Sequence, residues 1–309
     1  MTDLHRIAIA LQQLFPGAEP ITPLKQLGRG FSSVAIETAS GYVFRVGLSP
    51  DARAASVDTM HLLKCVSSHV TLDVPQIAFA LTESDSFPFG VVGYRKLPGE
   101  PLDLVDFTSA AQAHVFASQI GTFLAQLHQM DIQDLRSIID LEKRRQQWLQ
   151  WRDDAFHVLP AMLPADAFHK IVYWWDLLLS DPVMDTFPAA VVHGDPWYGN
   201  FLVRDQRIVG VLDFEQAGVN DAAVDFAAQL YCGRAFLDSV IRAYTATGGK
   251  LDQHWSYRTA QHLVLREFSG LSAALAQGMN QEVMEAQEKL LRSPLFSTDG
   301  LGDWPVPWC

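Results

Sequence analysis

The chain has 309 residues, 49% of them hydrophobic and 19% charged, with a formal net charge of −12. That composition suits one large or two modest domains with a real core, and the acidity argues against nucleic acid or an anionic membrane as partner. No uninterrupted apolar run is long enough to cross a bilayer, and Cys65, Cys232 and Cys309 form neither a disulfide framework nor a CxxC metal site, so a reducing cytoplasm is the expected compartment.

Residues 4 to 15 read as a short amphipathic helix stopped by Pro16-Gly17. Its apolar run Ile7–Leu11 is too short for the core of a signal peptide. Leu27-Gly-Arg-Gly-Phe-Ser-Ser-Val-Ala-Ile-Glu37 and Gly41-Tyr-Val-Phe-Arg-Val46 then predict three strands around a glycine-bearing turn. Gly28 and Gly30 let that turn lie close over a phosphate, and Ser32 and Ser33 add donors. Alone, such a turn is a common hairpin. Arg45 lies in the third strand, where a solvated residue is the plain alternative to a phosphate contact. A helix is expected over 51–67, then strands at 77–81 and 89–93. Pro98, Gly99 and Pro101 break the pattern, which marks a linker between domains.

Beyond the linker the pattern turns helical. Ser109-x-x-Gln112 is a capping box, and Phe116, Ile120, Phe123, Leu124 and Leu127 follow at helical spacing up to His128. His128 reads as a polar residue packed at a helix end. Residues 135 to 180 continue the helical pattern with Trp148, Trp151, Trp174 and Trp175, aromatics that usually build core. Further helices are expected at 236–247, 253–277 and 280–292, and an irregular tail with Pro294, Pro305 and Pro307.

Between these helical stretches stands Val191-Val-His-Gly-Asp-Pro-Trp-Tyr-Gly-Asn-Phe-Leu-Val203, followed by Ile208-Val-Gly-Val-Leu-Asp-Phe-Glu215. Apolar strands bracket a polar loop, and a hairpin follows, so Asp195, Asn200 and Asp213 are expected to converge at one end of it. Two carboxylates and a carboxamide are what phosphoryl transfer needs: one to orient and deprotonate a hydroxyl, the others as oxygen ligands for Mg²⁺ on nucleotide phosphates.

The Asp-x-x-x-x-Asn spacing, with His193-Gly194-Asp195 before it and Asp213-Phe-Glu215 after it, resembles the aminoglycoside phosphotransferase family, which includes macrolide kinases and other small-molecule kinases. The resemblance implies an α+β, bilobal protein-kinase-like fold. A small β-rich lobe would span 1–93, a hinge 94–100, and a mainly helical lobe 101–309. It implies Asp195 as catalytic base, Asn200 and Asp213 as Mg²⁺ ligands, and ATP or GTP as donor. The nucleotide would be held by Gly28, Gly30, Phe31, Ser32, Ser33 and Arg45, and at the hinge by Tyr94 and Leu97, where backbone meets the purine. The family's third-strand lysine is replaced by Arg45, whose planar fork differs from a point charge. Its glutamate on the next helix is replaced by Thr59, with Asp58 as the nearest acid. Asp225 would brace the catalytic loop, as would His193. Glu215 stands open between a water-mediated metal contact and a solvated turn residue.

Eleven residues between Asp213 and Asp225 leave no room for a peptide-docking activation segment, so a small-molecule acceptor is expected. Residues 1–100 carry 8 Lys+Arg against 9 Asp+Glu, so nearly all of the net charge falls after them. Solubility explains that acidity as readily as ligand binding does. Read as a binding feature, it favours a cationic hydroxylated acceptor, an aminoglycoside ahead of a macrolide or amino alcohol, with Glu267 and Asp221 as pocket acids. Two alternatives stay open: a metabolic kinase for an amino alcohol or sugar, and a nucleotide-binding pseudokinase. The sequence does not set the oligomeric state.

Overall fold

A computed structural model of the protein describes residues 4–50, 52, 57–103, 106–134 and 141–297. The expected tail with Pro305 and Pro307, most of residues 51–56 before the first N-terminal turn of the second helix, and 135–140 lie outside those residues. In chain order the elements are α1 (Leu4–Leu14), β1 (Lys25–Arg29), β2 (Ser33–Glu37), β3 (Tyr42–Gly47), α2 (Val57–Val66), β4 (Ile77–Leu81), β5 (Val91–Arg95) and β6 (Glu100–Pro101). Then come α3 (Ala110–His128), α4 (Leu141–Met162), α5 (Ala165–Ser180), β7 (Ala189–Val192), β8 (Phe201–Arg204), β9 (Arg207–Val211) and β10 (Gly218–Asp221). The chain closes with α6 (Ala223–Ala227), α7 (Arg234–Ala246), α8 (Trp255–Ala276) and α9 (Asn280–Arg292). A small antiparallel sheet region therefore precedes a larger helical one in a mixed α+β fold.

Two compact units divide the chain: Met1–Leu102 with Gly199–Ala217, and Asp103–Tyr198 with Gly218–Cys309. The expected boundary was a single linker; instead the hairpin β8–β9 joins the N-terminal unit. Backbone bonds explain this. Asp73 N–H donates to Val209 O at 3.0 Å, Val211 N–H donates to Asp73 O at 2.9 Å, and β6 pairs with β8.

The first unit is built on an antiparallel sheet in the order β1-β2-β3-β5-β4. Alternating apolar residues on β2 and β3 put Val34, Ile36, Phe44 and Val46 on one buried face, where they pack with Leu11 of α1, Ile21, Phe87 and Val91. The opposite face of β3 carries Arg45, paired in register with Ala35 and Val92.

In the second unit the apolar faces of α4, α5, α8 and α9 enclose Trp148, Leu159, Ile171, Trp175, Phe268, Leu271 and Leu290. Trp174 stacks on Phe268 with centroids 5.5 Å apart, so the tryptophan-rich helices build core. The expected N-cap is in place, with Gln112 N–H donating to Ser109 Oγ at 3.1 Å. Helix α3 crosses α7 closely: a Cβ on Gly121 would lie 2.3 Å from Val240 O, so only glycine fits.

The stretch after Glu215 holds strand β10. It pairs antiparallel with β7, Val219 opposite Val191. Asp221 at its end is 1% exposed, as is Arg258 of α8. Arg258 Nε–H donates to Asp221 Oδ2 at 2.7 Å, and His262 Nε2 lies 3.0 Å from the same oxygen. Burial opposes the carboxylate charge, but the bonds to His262 and Arg258 outweigh it and hold the Asp221 carboxyl well below the usual range. Asp221→Ala is expected to lower stability by about 3 kcal/mol in urea denaturation at neutral pH, because it takes from the buried Arg258 one of its two carboxylate partners and leaves only the more exposed Asp252. A carboxyl depressed in the folded state stabilises above its unfolded pKa. The gap between wild type and variant should therefore narrow below about pH 4.

Candidate active site

The first unit carries Arg45, Asn200, Asp213 and Glu215. Hairpin β8–β9 starts just after Asn200 and ends just before Asp213, and Leu212 N–H donates to Asn200 O at 2.8 Å, which fixes the two ends side by side. Asp213 has a left-handed backbone, φ 66°, unusual outside glycine and most tolerated by Asn and Asp. Its carboxylate accepts from Arg45, with Nη1 and Oδ1 3.1 Å apart. Arg45 also pairs with Glu215 and donates from Nη2 to Ser33 Oγ at 2.7 Å. Burial works against its charge, but Asp213 and Glu215 more than offset that and raise its pKa. Arg45 Nε is buried and, among the described residues, has no acceptor.

Glu215 is 6% exposed, which rules out the solvated reading. Ser33 Oγ donates to its Oε1 at 2.9 Å and Ser32 Oγ to its Oε2 at 3.0 Å. The two hydroxyls, expected to face a phosphate, are thus committed to an acid of their own unit. The turn is closed by Gly30 N–H donating to Ser33 O at 2.9 Å, and Phe31 at its tip is exposed. Gly28 sits in β1, and a Cβ there would meet nothing within 4 Å. No packing within the protein demands glycine at that position; the space above it is open.

The second unit carries the loop after β7. Asp225 is fully buried and its carboxylate accepts from His193 N–H at 2.8 Å and Gly194 N–H at 2.7 Å. His128 Nε2 lies 3.0 Å from the same carboxylate, and its Nδ1 3.2 Å from the Tyr244 hydroxyl. Asp225 therefore braces the loop, His193 is buried, and the His128 side chain is 2% exposed. With Gly194 at φ 84°, the loop turns so that Asp195, half-buried, pairs with Arg266 of α8. Arg266 Nε–H donates to the Tyr231 hydroxyl at 3.2 Å, and Tyr231 in turn hydrogen-bonds Glu267.

Residues 23–262 match the profile of the phosphotransferase enzyme family. The chain belongs to that family. Among solved structures, this phosphotransferase resembles the GDP and kanamycin complex of APH(2")-IIia, with TM-score 0.78 and 21% identity over 93% of this chain and 97% of that one. It also resembles macrolide 2'-phosphotransferase type I, with TM-score 0.69 and 22% identity over 94% and 97% of the two chains. The macrolide 2'-phosphotransferase MphH from Brachybacterium faecium gives TM-score 0.62 and 22% identity over 90% and 96%. The fold is shared with all three. No curated protein sequence matches the chain.

In the phosphotransferase, Tyr94 lies inside β5, paired with Val43 on one side and Ile77 on the other, so its backbone is committed to the sheet. Its phenol is buried and faces Arg45, Asp213 and Glu215; burial first, then the two acids against Arg45, push it up to about 12. Leu97 packs over Gly210 of β9. Of the two acids expected to line an acceptor pocket, Glu267 is 4% exposed and tied to Tyr231, and Asp221 is buried with Arg258. Burial raises the Glu267 carboxyl despite the bond from Tyr231. Arg266 has no local sequence signal, since its partner lies 71 residues away. Among the described residues no helix is long and apolar enough to cross a membrane.

Proposed function

We propose that the protein is a cytoplasmic, Mg²⁺-dependent small-molecule kinase that moves the γ-phosphoryl group of ATP or GTP to a hydroxyl of an acceptor. The observation carrying this reading is the set around Arg45. A half-buried strand arginine pairs with a left-handed aspartate and with Glu215, and Gly28 two strands away leaves open space. Asp213 and Asn200 offer oxygen donors of the kind a hard cation takes. Bound Mg²⁺ would neutralise charge building on the phosphate oxygens. Arg45 and the turn from Gly28 to Ser33 would hold the phosphates, with Phe31 over them and Leu97 beside the base. Tyr94 supports Arg45 from below. Asp195 accepts the proton as the acceptor's hydroxyl oxygen bonds to the γ-phosphorus and the bond to the leaving nucleoside diphosphate breaks.

The acceptor we favour is a cationic hydroxylated molecule, an aminoglycoside before a macrolide, because nearly all net negative charge falls after residue 100 and relatives of the same fold are named for those antibiotics. The Arg266 guanidinium beside Asp195 favours a second reading, a metabolic acceptor with an anionic group next to its hydroxyl. Salt separates the two. For a cationic acceptor kcat/KM should fall severalfold between about 0.01 and 0.15 M ionic strength as the field is screened. An unchanged or rising kcat/KM discards the cationic reading.

A further inference from the structure

The resemblance implies an acid on the helix after the third strand, and among the described residues α2 has none in that place: Thr59 is buried and Asp58 is exposed. Arg45 is nevertheless charged, half-buried and flanked by carboxylates. One of them, Glu215, comes from the turn after Asp213. Both its oxygens are engaged: Oε1 with Arg45 and the Ser33 hydroxyl, Oε2 with the Ser32 hydroxyl. A guanidinium presents a planar fork, and a fork is fixed by acceptors on two sides, here Asp213 on Nη1 and Glu215 with Ser33 on Nη2.

We propose that Glu215 is a positioning residue: it fixes the Arg45 fork from the Nη2 side for the nucleotide phosphates, and it clamps the phosphate turn through Ser32 and Ser33. The proposal rests on the phosphotransferase reading above. It assigns Glu215 to the arginine and the turn instead of to the metal.

Two measurements test it. The first is calorimetric titration of ATP and GTP in EDTA, without metal or acceptor, on wild type, Glu215→Gln, Arg45→Ala and the double variant. Residues in one network couple strongly, so Glu215→Gln should weaken binding about tenfold in the wild-type background and under about twofold in the Arg45→Ala background. An equal loss in both backgrounds, or a loss seen only when Mg²⁺ is restored, overturns the assignment. The second is amide hydrogen exchange of residues 28–33 in nucleotide-free protein, which Glu215→Gln and the Ser32→Ala/Ser33→Ala pair should both accelerate; unchanged exchange overturns the clamp. A wild-type protein that binds no nucleotide would count against the phosphotransferase reading itself, while the exchange experiment still decides the contact.

Discussion

Asp195→Ala lowers kcat by about 10²-fold or more while nucleotide affinity stays at the wild-type level. The expectation follows from how the loop is built. Three supports hold it from behind, two backbone N–H groups on Asp225 and the ring of His128, and none of them is the Asp195 side chain. Removing that carboxylate would therefore take away the proposed proton acceptor and its pairing with Arg266, and leave the loop in place. Single-turnover kinetics with calorimetry of nucleotide binding checks both halves. Turnover near wild type would show that Asp195 is not the base.

The second large effect is at Asp213. Under the proposed mechanism its carboxylate would be the charged oxygen ligand of the metal, so its loss should weaken Mg-nucleotide binding by about tenfold or more, and Asn200→Ala by less. Backbone conformation decides which variant to make. At φ 66° alanine carries strain of about 1 kcal/mol, whereas asparagine tolerates the left-handed region, so Asp213→Asn changes the charge with the least disturbance. Calorimetry with Mg-ATP that finds Asp213→Asn equal to wild type would refute the assignment.

Much of this architecture is legible in the sequence because it is encoded locally. The helix from Ser109 follows from its capping residue and a 3.6-residue apolar period, and the fold's last three helices are bounded as their periodicity and glycines imply. Strand β10 escapes such a reading because Gly218-Val-Asn-Asp221 has a single large apolar residue; its strand character comes from pairing with β7. The site divides in the same way. Asp195, Asn200 and Asp213 announce themselves by spacing within one stretch. Glu215 does not, because what defines it is a hydroxyl 182 residues away, and burial with Arg45 turns an apparent surface acid into a structural partner. The expected pocket acids are hard to read for the complementary reason. Net charge counts acids but cannot say which are neutralised, and Asp221 is consumed by Arg258 and His262.

The central claim is transfer of a γ-phosphoryl group to an acceptor hydroxyl. Phosphorus NMR of purified protein with Mg²⁺, ATP or GTP, and a panel of aminoglycosides, macrolides, amino alcohols, sugars and hydroxy acids tests it most directly. A new phosphate-monoester resonance should grow with one acceptor class as nucleoside diphosphate accumulates in equal amount, and it should be missing with Asp195→Ala. Nucleotide that binds yet yields no phosphate ester with any member of the panel, or diphosphate and inorganic phosphate alone, would contradict it.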